Sequence, residues 1–183
     1  NNMFFAFMNS ELYKKIDKSN AHRASRDAIA QVILAQENLF PDLFKTALNT
    51  NDKNHHKACW IMELVLEKKL SYLINFLDIF CINLKTFDDE SALRSISKVC
   101  MFLSKNHILT NLQEEQIIES CLDWLISDTV KVATKAYSIR TLHQLGKKHD
   151  WVYPQLQRIL TDDYSKHSYA YKAVAREILK KIK

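Results

Sequence analysis

The 183-residue sequence predicts an all-α fold, a right-handed α-α superhelix of stacked helical hairpins forming a single domain over residues 1–183. Three observations carry that prediction. A basic residue followed by a small one recurs five times inside helix-like apolar patterns: Arg23-Ala24, Lys57-Ala58, Arg94-Ser95, Lys135-Ala136 and Lys172-Ala173. The copies lie 34, 37, 41 and 37 residues apart, a period typical of helical-hairpin repeats, with no strand pattern between them. The chain has one glycine, Gly146, and two prolines, Pro41 and Pro154. Tight hairpin turns and bulges lean on glycine and proline, whereas helix interiors need neither. Finally, 47% of the residues are hydrophobic, enough for a packed core.

Caps and periodicity divide the chain into about ten helices. A first helix over about 3–17 opens the chain. Ser19-Asn20 caps a second, to about residue 37. Pro41 opens a short helix to about Leu48, as proline does at a first helical position. The turn Asn49-Thr50-Asn51-Asp52 caps a helix over about 53–68, which is apolar nearly all round and so buried on more than one side. A helix over about 71–84 follows. Asp88-Asp89-Glu90-Ser91 opens the next, with Leu93, Ile96, Val99, Cys100 and Leu103 on one face. Thr110 with Glu114 forms an imperfect capping signal before the face Ile117, Ile118, Cys121, Leu122, Leu125. Asp128 caps a helix over about 129–147, and Gly146 ends it by the usual C-terminal glycine logic. Pro154 opens a short helix to about Asp162. The last helix is the cleanest: Tyr171, Val174, Ala175, Ile178, Leu179 and Ile182 form one apolar stripe opposite Lys172, Arg176, Glu177, Lys180, Lys181 and Lys183. That pattern suits a terminal cap on a stack.

The formal charge is +5, and it is localised. Residues 164–183 hold six basic groups and one acidic; the preceding 163 residues hold 20 of each. This places the excess on the last helix, where cations favour the helix dipole, and makes nucleic acid an unlikely partner, since phosphate binding needs an extended basic stripe. Cys59, Cys81, Cys100 and Cys121 form no CxxC pair and sit in apolar stretches, so they read as small buried hydrophobes in a reducing, cytoplasmic setting. The apolar run 3–8 lacks a preceding basic region and is too short to span a bilayer.

At this point the phrase and its period resemble HEAT and armadillo-type repeats, over about residues 20–183. The segment Asp128-Thr129-Val130-Lys131-Val132-Ala133 is nearest to that pattern; Asp89 with Leu93-Arg94-Ser95 and Asp52 with His56-Lys57-Ala58 are looser versions. The resemblance implies that the second helix of each hairpin lines the concave side. By position these are the helices starting near Ala21, Lys53, Glu90, Thr129 and Lys166. Adenylosuccinate lyase activity, a label that small helical chains of this kind attract, is rejected: that family is similar to nothing here, and one glycine cannot supply its Gly-rich catalytic loop.

Catalytic and metal constellations are weak. His55-His56 after Asp52 places Asp52 and His56 at i, i+4, but a metal site needs three or four converging ligands, so these read as surface or capping residues. The other histidines are scattered. Asp88-Asp89, Glu114-Glu115 and Asp162-Asp163 sit at helix ends, and sequence neighbours on a helix do not face one another as acid–base pairs must. GxSxG, P-loop, GxGxxG and HExxH motifs are absent. An alternative, resemblance to HEAT-like alkylpurine DNA glycosylases, would use Trp60 and Asp123-Trp124 with Arg94, Lys98, Lys135 and Arg140. The neutral first 163 residues oppose it.

The reading is therefore a non-enzymatic scaffold of roughly four and a half hairpins that binds a protein or peptide on its concave face, with no cofactor and no metal. The expected contact residues are His56, Trp60, Arg94, Lys98, Lys135 and Arg140. Self-association through Phe4, Phe5, Phe7 and Met8 is a third possibility.

Overall fold

The computed structural model describes residues 10–106 and 108–182. The expected start of the first helix, the run Phe4, Phe5, Phe7 and Met8, and also His107 and Lys183, lie outside the described residues. Among the described residues there are ten α-helices and no strands. The chain forms two compact units, residues 1–75 and 76–183.

The first unit holds α1 (Ser10–Lys18), α2 (Arg23–Ala35), α3 (Phe40–Leu48) and α4 (His55–Lys68). Helix α4 packs against α2 and α3, and α1 lies on α3 and α4. Its Ala58, Cys59, Ile61, Met62, Val65 and Leu66 are all but inaccessible to water, as its all-round apolar sequence requires. Of these, Ile61, Met62, Val65 and Leu66 each contribute about 1.5–3 kcal/mol by burial. Pro41 sits in the first turn of α3, where its missing N–H costs nothing. The expected Ser19-Asn20 cap of α2 is not made. Ser19 Oγ instead donates to the Ile16 carbonyl and closes α1, while Asn20 Oδ1 accepts from the His22 N–H in a local turn that delays α2 to Arg23. Asp52 likewise accepts from the Asn54 N–H, and α4 begins at His55.

The second unit holds α5 (Leu77–Ile82), α6 (Glu90–Ser104), α7 (Asn111–Ile126), α8 (Val132–Leu145), α9 (Val152–Asp163) and α10 (Tyr169–Leu179). Its hub is α8, which packs against α6, α7, α9 and α10. The helix expected over 71–84 is broken: Leu70–Phe76 is a 3-10 segment, α5 follows, and Leu84–Thr86 is 3-10 again. Leu70, Leu73 and Phe76 recur every third residue, which aligns them on a 3-10 face rather than an α face. Asp89 caps α6 by accepting from the Ser91 and Ala92 N–H groups. The capping box of α7 pairs Thr110 with Gln113, not Glu114. Asp128 does not cap α8. Ser127 and Thr129 bond to each other in a local turn, and the helix starts at Val132. Gly146 ends α8 in ordinary right-handed geometry (φ −60°, ψ −14°), so left-handed freedom is not its purpose. A Cβ there would enter the Tyr153 ring, which stacks on His143 and donates to the His143 carbonyl. Glycine is needed for close approach.

In both units the repeated basic residue has a structural use. Lys57 Nζ donates to the Asp17 carbonyl in the last turn of α1 at 2.6 Å, and Lys135 Nζ donates to the Leu125 carbonyl in the last turn of α7 at 2.7 Å. Both place a cation on orphan carbonyls at the negative end of a helix dipole.

Candidate interaction surface

The five copies of the phrase fall on α2, α4, α6, α8 and α10, the second helices of five successive pairs. Within the first unit α2 packs on α4, and within the second α6 packs on α8 and α8 on α10. Their solvent-facing stripes are the candidate surface, described unit by unit.

In the first unit the stripe centres on Trp60, half-buried on α4. The His56 ring meets it edge-on at 5.0 Å between centroids, one turn earlier on the same helix. Arg26 of α2 brings its guanidinium to 5.6 Å from the indole centre, within cation–π range. Two sequence-expected residues, His56 and Trp60, thus come together, with Arg26 as the third member. His55, by contrast, is core: its Nδ1 lies 2.7 Å from the Ala47 carbonyl at the end of α3, with Cys59 beside it. The expectation of a surface or capping role for His55 is corrected accordingly. The Asp52 carboxylate accepts from the Tyr13 hydroxyl, and its backbone carbonyl accepts from the His55 N–H. Among the described residues no group of three or more His, Cys, Asp or Glu side chains is placed to hold a metal ion.

In the second unit Arg94 and Lys98 are half-exposed on α6, with Lys98 Nζ 5.5 Å from the Phe102 ring centre. Arg140 of α8 grips Glu177 of α10 with both terminal guanidinium nitrogens, Nη1 and Nη2, at 3.3 and 2.9 Å. Lys181 reaches the same carboxylate at 2.7 Å. Hydrogen bonds from Lys181 and Arg140 hold the Glu177 pKa down to about 2. Beside this group an open recess of about 470 Å³ is lined by Ala173, Arg176, Glu177, Lys180 and Lys181. Lys135 does not belong to the surface. It is 3% exposed and its ammonium caps α7. Burial pulls its pKa below the usual lysine range, against the attraction of Asp163 and Asp128. Its place among the contact residues is withdrawn.

The tryptophan set of the glycosylase alternative does not assemble on this surface. Trp124 is core, and its neighbour Asp123 is exposed on α7, a first helix, beside the groove between α7 and α9. Arg26, Phe102 and Glu177 escaped the sequence reading. A signal for Glu177 existed: it lies 37 residues after Arg140, the same interval as Lys135 to Lys172.

A family model described as a HEAT repeat domain matches residues 9–182. No curated protein and no solved structure matches.

Proposed function

Because the chain belongs to the HEAT repeat family, typically a non-enzymatic scaffold whose repeats commonly mediate protein interactions, we propose that it is an interaction scaffold that binds a protein or peptide through its second-helix stripes. We propose also that the family match across residues 9–182 marks one repeat domain. The observation that carries the binding reading is the convergence of His56, Trp60 and Arg26, each half-buried, on one stripe. Tryptophan and arginine are the residues in which binding energy concentrates, through desolvated anchors rather than total area. Arg94, Lys98 and Arg140 extend the proposal to the second unit. Among the described residues no helix is long and apolar enough to cross a membrane. We place the protein in the cytoplasm, on its four buried cysteine thiols.

The test is affinity capture from nuclease-treated native lysate at low and moderate salt, read by mass spectrometry, with the wild type beside Trp60→Ala and Arg94→Glu/Lys98→Glu. A specific protein that survives moderate salt and is lost from a variant of unchanged helicity supports the reading. Capture that neither variant alters sinks this placement.

A further inference from the structure

The second unit sorts its charge by helix. Its first helices, α5, α7 and α9, carry seven acidic residues (Asp78, Glu114, Glu115, Glu119, Asp123, Asp162, Asp163) and one basic, Arg158. Its second helices, α6, α8 and α10, carry six basic residues (Arg94, Lys98, Lys135, Arg140, Lys172, Arg176) and two acidic, Glu90 and Glu177. The helices of the first unit show no such division: α1 and α3 together carry four basic and three acidic residues, α2 and α4 four and three. Leaving out the buried Lys135 and Glu114, the first helices carry six acidic residues to one basic and the second helices five basic to two acidic, so the overall charge of the unit hides two oppositely charged sets of helices.

The basic face already holds a carboxylate. Glu177 sits on it with Arg140 bidentate, the geometry in which guanidinium recognises carboxylate best, and Lys181 donates to its Oε1 as well. Along α10, Lys172, Arg176 and Lys180 follow at i, i+4 and i+8, so their Cα atoms rise about 6 Å apart along the helix axis. Alternate side chains of an extended polypeptide are about 6.6 Å apart. Arg176 and Lys180 are exposed beside the recess, and Ala173 leaves room above the helix.

We propose that the second-helix face of residues 76–183 binds an acidic polypeptide, an extended segment with Asp or Glu at alternate positions laid along α10 against Lys172, Arg176 and Lys180, beside the Arg140–Glu177 pair. The proposal rests on the scaffold reading and names the partner's chemistry. A nucleic-acid strand fits less well. Glu177 stands within the basic patch, and α5, α7 and α9 would repel a polyanion that reached around the unit.

The experiment is fluorescence anisotropy on the full chain at 50 and 150 mM salt. The probes are a fluorescein-labelled dodecapeptide alternating Glu and Thr, its Lys-Thr counterpart, and a single-stranded hexanucleotide of similar charge. The acidic peptide is expected to bind at least tenfold tighter than either of the others. Lys172→Glu/Arg176→Glu/Lys180→Glu should weaken it at least tenfold, and Arg158→Glu, on a first helix, less than twofold. Glu177→Gln, which frees Arg140 and Lys181, should tighten it about two- to fivefold. Ala173→Glu repeats the test without removing any cation, should the triple variant lose helicity. Tighter binding of the oligonucleotide overturns the proposal in favour of nucleic acid; equal binding of both peptides, or full binding by Ala173→Glu and by a folded triple variant, overturns it outright. If these arms fail while a protein partner still depends on Trp60 in lysate capture, the acidic-partner proposal falls and the scaffold reading stands.

Discussion

Lys135 shows how one residue can satisfy two sequence readings and fulfil only one of them. A lysine in a repeated phrase on a second helix suits a contact surface, yet its position in the first turn of α8, close to the end of α7, suits a helix cap, and the structure gives it to the cap. Lys135→Met keeps the stem's volume and removes the donor, leaving the buried Leu125 carbonyl without it. The expected loss is about 1–3 kcal/mol, checked by urea unfolding followed by circular dichroism, with partner binding per folded molecule unchanged. Gly146 makes a parallel case. Alanine is the better helix former by about 1 kcal/mol, but its Cβ would collide with the Tyr153 ring. Overpacking costs about 1–3 kcal/mol and wins, so Gly146→Ala should destabilise, and Tyr153→Ala should cost less in that background than in the wild type. Glu114 supplies the pH dependence. Burial alone would raise its pKa, but hydrogen bonds from Lys148 at 2.7 Å and His149 at 2.8 Å outweigh it and hold the value below the usual 4.5. A carboxylate with a lowered folded pKa contributes its full stability above about pH 4.5 and loses it as pH falls through the folded value. Wild-type stability should therefore drop more steeply than that of Glu114→Gln as pH falls below about 4.5, and the two unfolding midpoints should converge at the acid end.

At the scale of elements, the period found in the sequence is also the period of the side-chain bonds. Tyr13 to Asp52, Asn54 to Asp17, Tyr72 to Leu34, Lys85 to Glu119, Gln113 to Asp78, Lys131 to Ser91, Arg140 to Glu177 and Lys148 to Glu114 all join residues 34 to 40 apart. A hairpin repeat stacks each residue beside its counterpart one repeat away, so these partners were legible in principle. Helix order and the five second helices could be read directly, because an apolar stripe and a repeated phrase are one-dimensional signals. Caps were less legible. Ser19, Asp128 and Gly146 are good capping types, but whether such a side chain caps a helix, closes the preceding turn or makes room for a ring depends on neighbours the local sequence does not display. Asp78–Gln113 and Lys85–Glu119 run in the same order along both segments, which sets the stretch from α5 to Thr86 parallel to α7. The Thr110–Gln113 box fixes where α7 begins in that pairing. Thr110→Ala should remove about 0.5–2 kcal/mol and raise amide exchange in the first turn of α7 before any other part of the unit.

For the whole molecule, the two compact units differ in what they can sustain. Repeat arrays gain stability from neighbour-to-neighbour burial, and about three hairpins are needed before that gain exceeds the entropy of ordering the chain. Residues 76–183 meet this condition, with three helix pairs and a core in which Phe80, Leu84, Ile96, Leu103, Ile117, Leu125, Leu142 and Leu156 are wholly buried. Residues 1–75 contain two pairs, and a chain of that length buries a smaller share of its surface than a longer one. The charge division belongs to the larger unit alone, so binding of an acidic segment needs only what that unit contains. Expressed by itself, 76–183 should be helical, unfold in one cooperative transition and keep the anisotropy response to the Glu-Thr peptide within about threefold of the full chain, a difference below 1 kcal/mol. The fragment 1–75 should show a shallow, low-temperature transition in calorimetry. A single transition in the full chain, with neither fragment folded alone, would instead make the repeat array one cooperative body, and the larger unit's independence would be refuted.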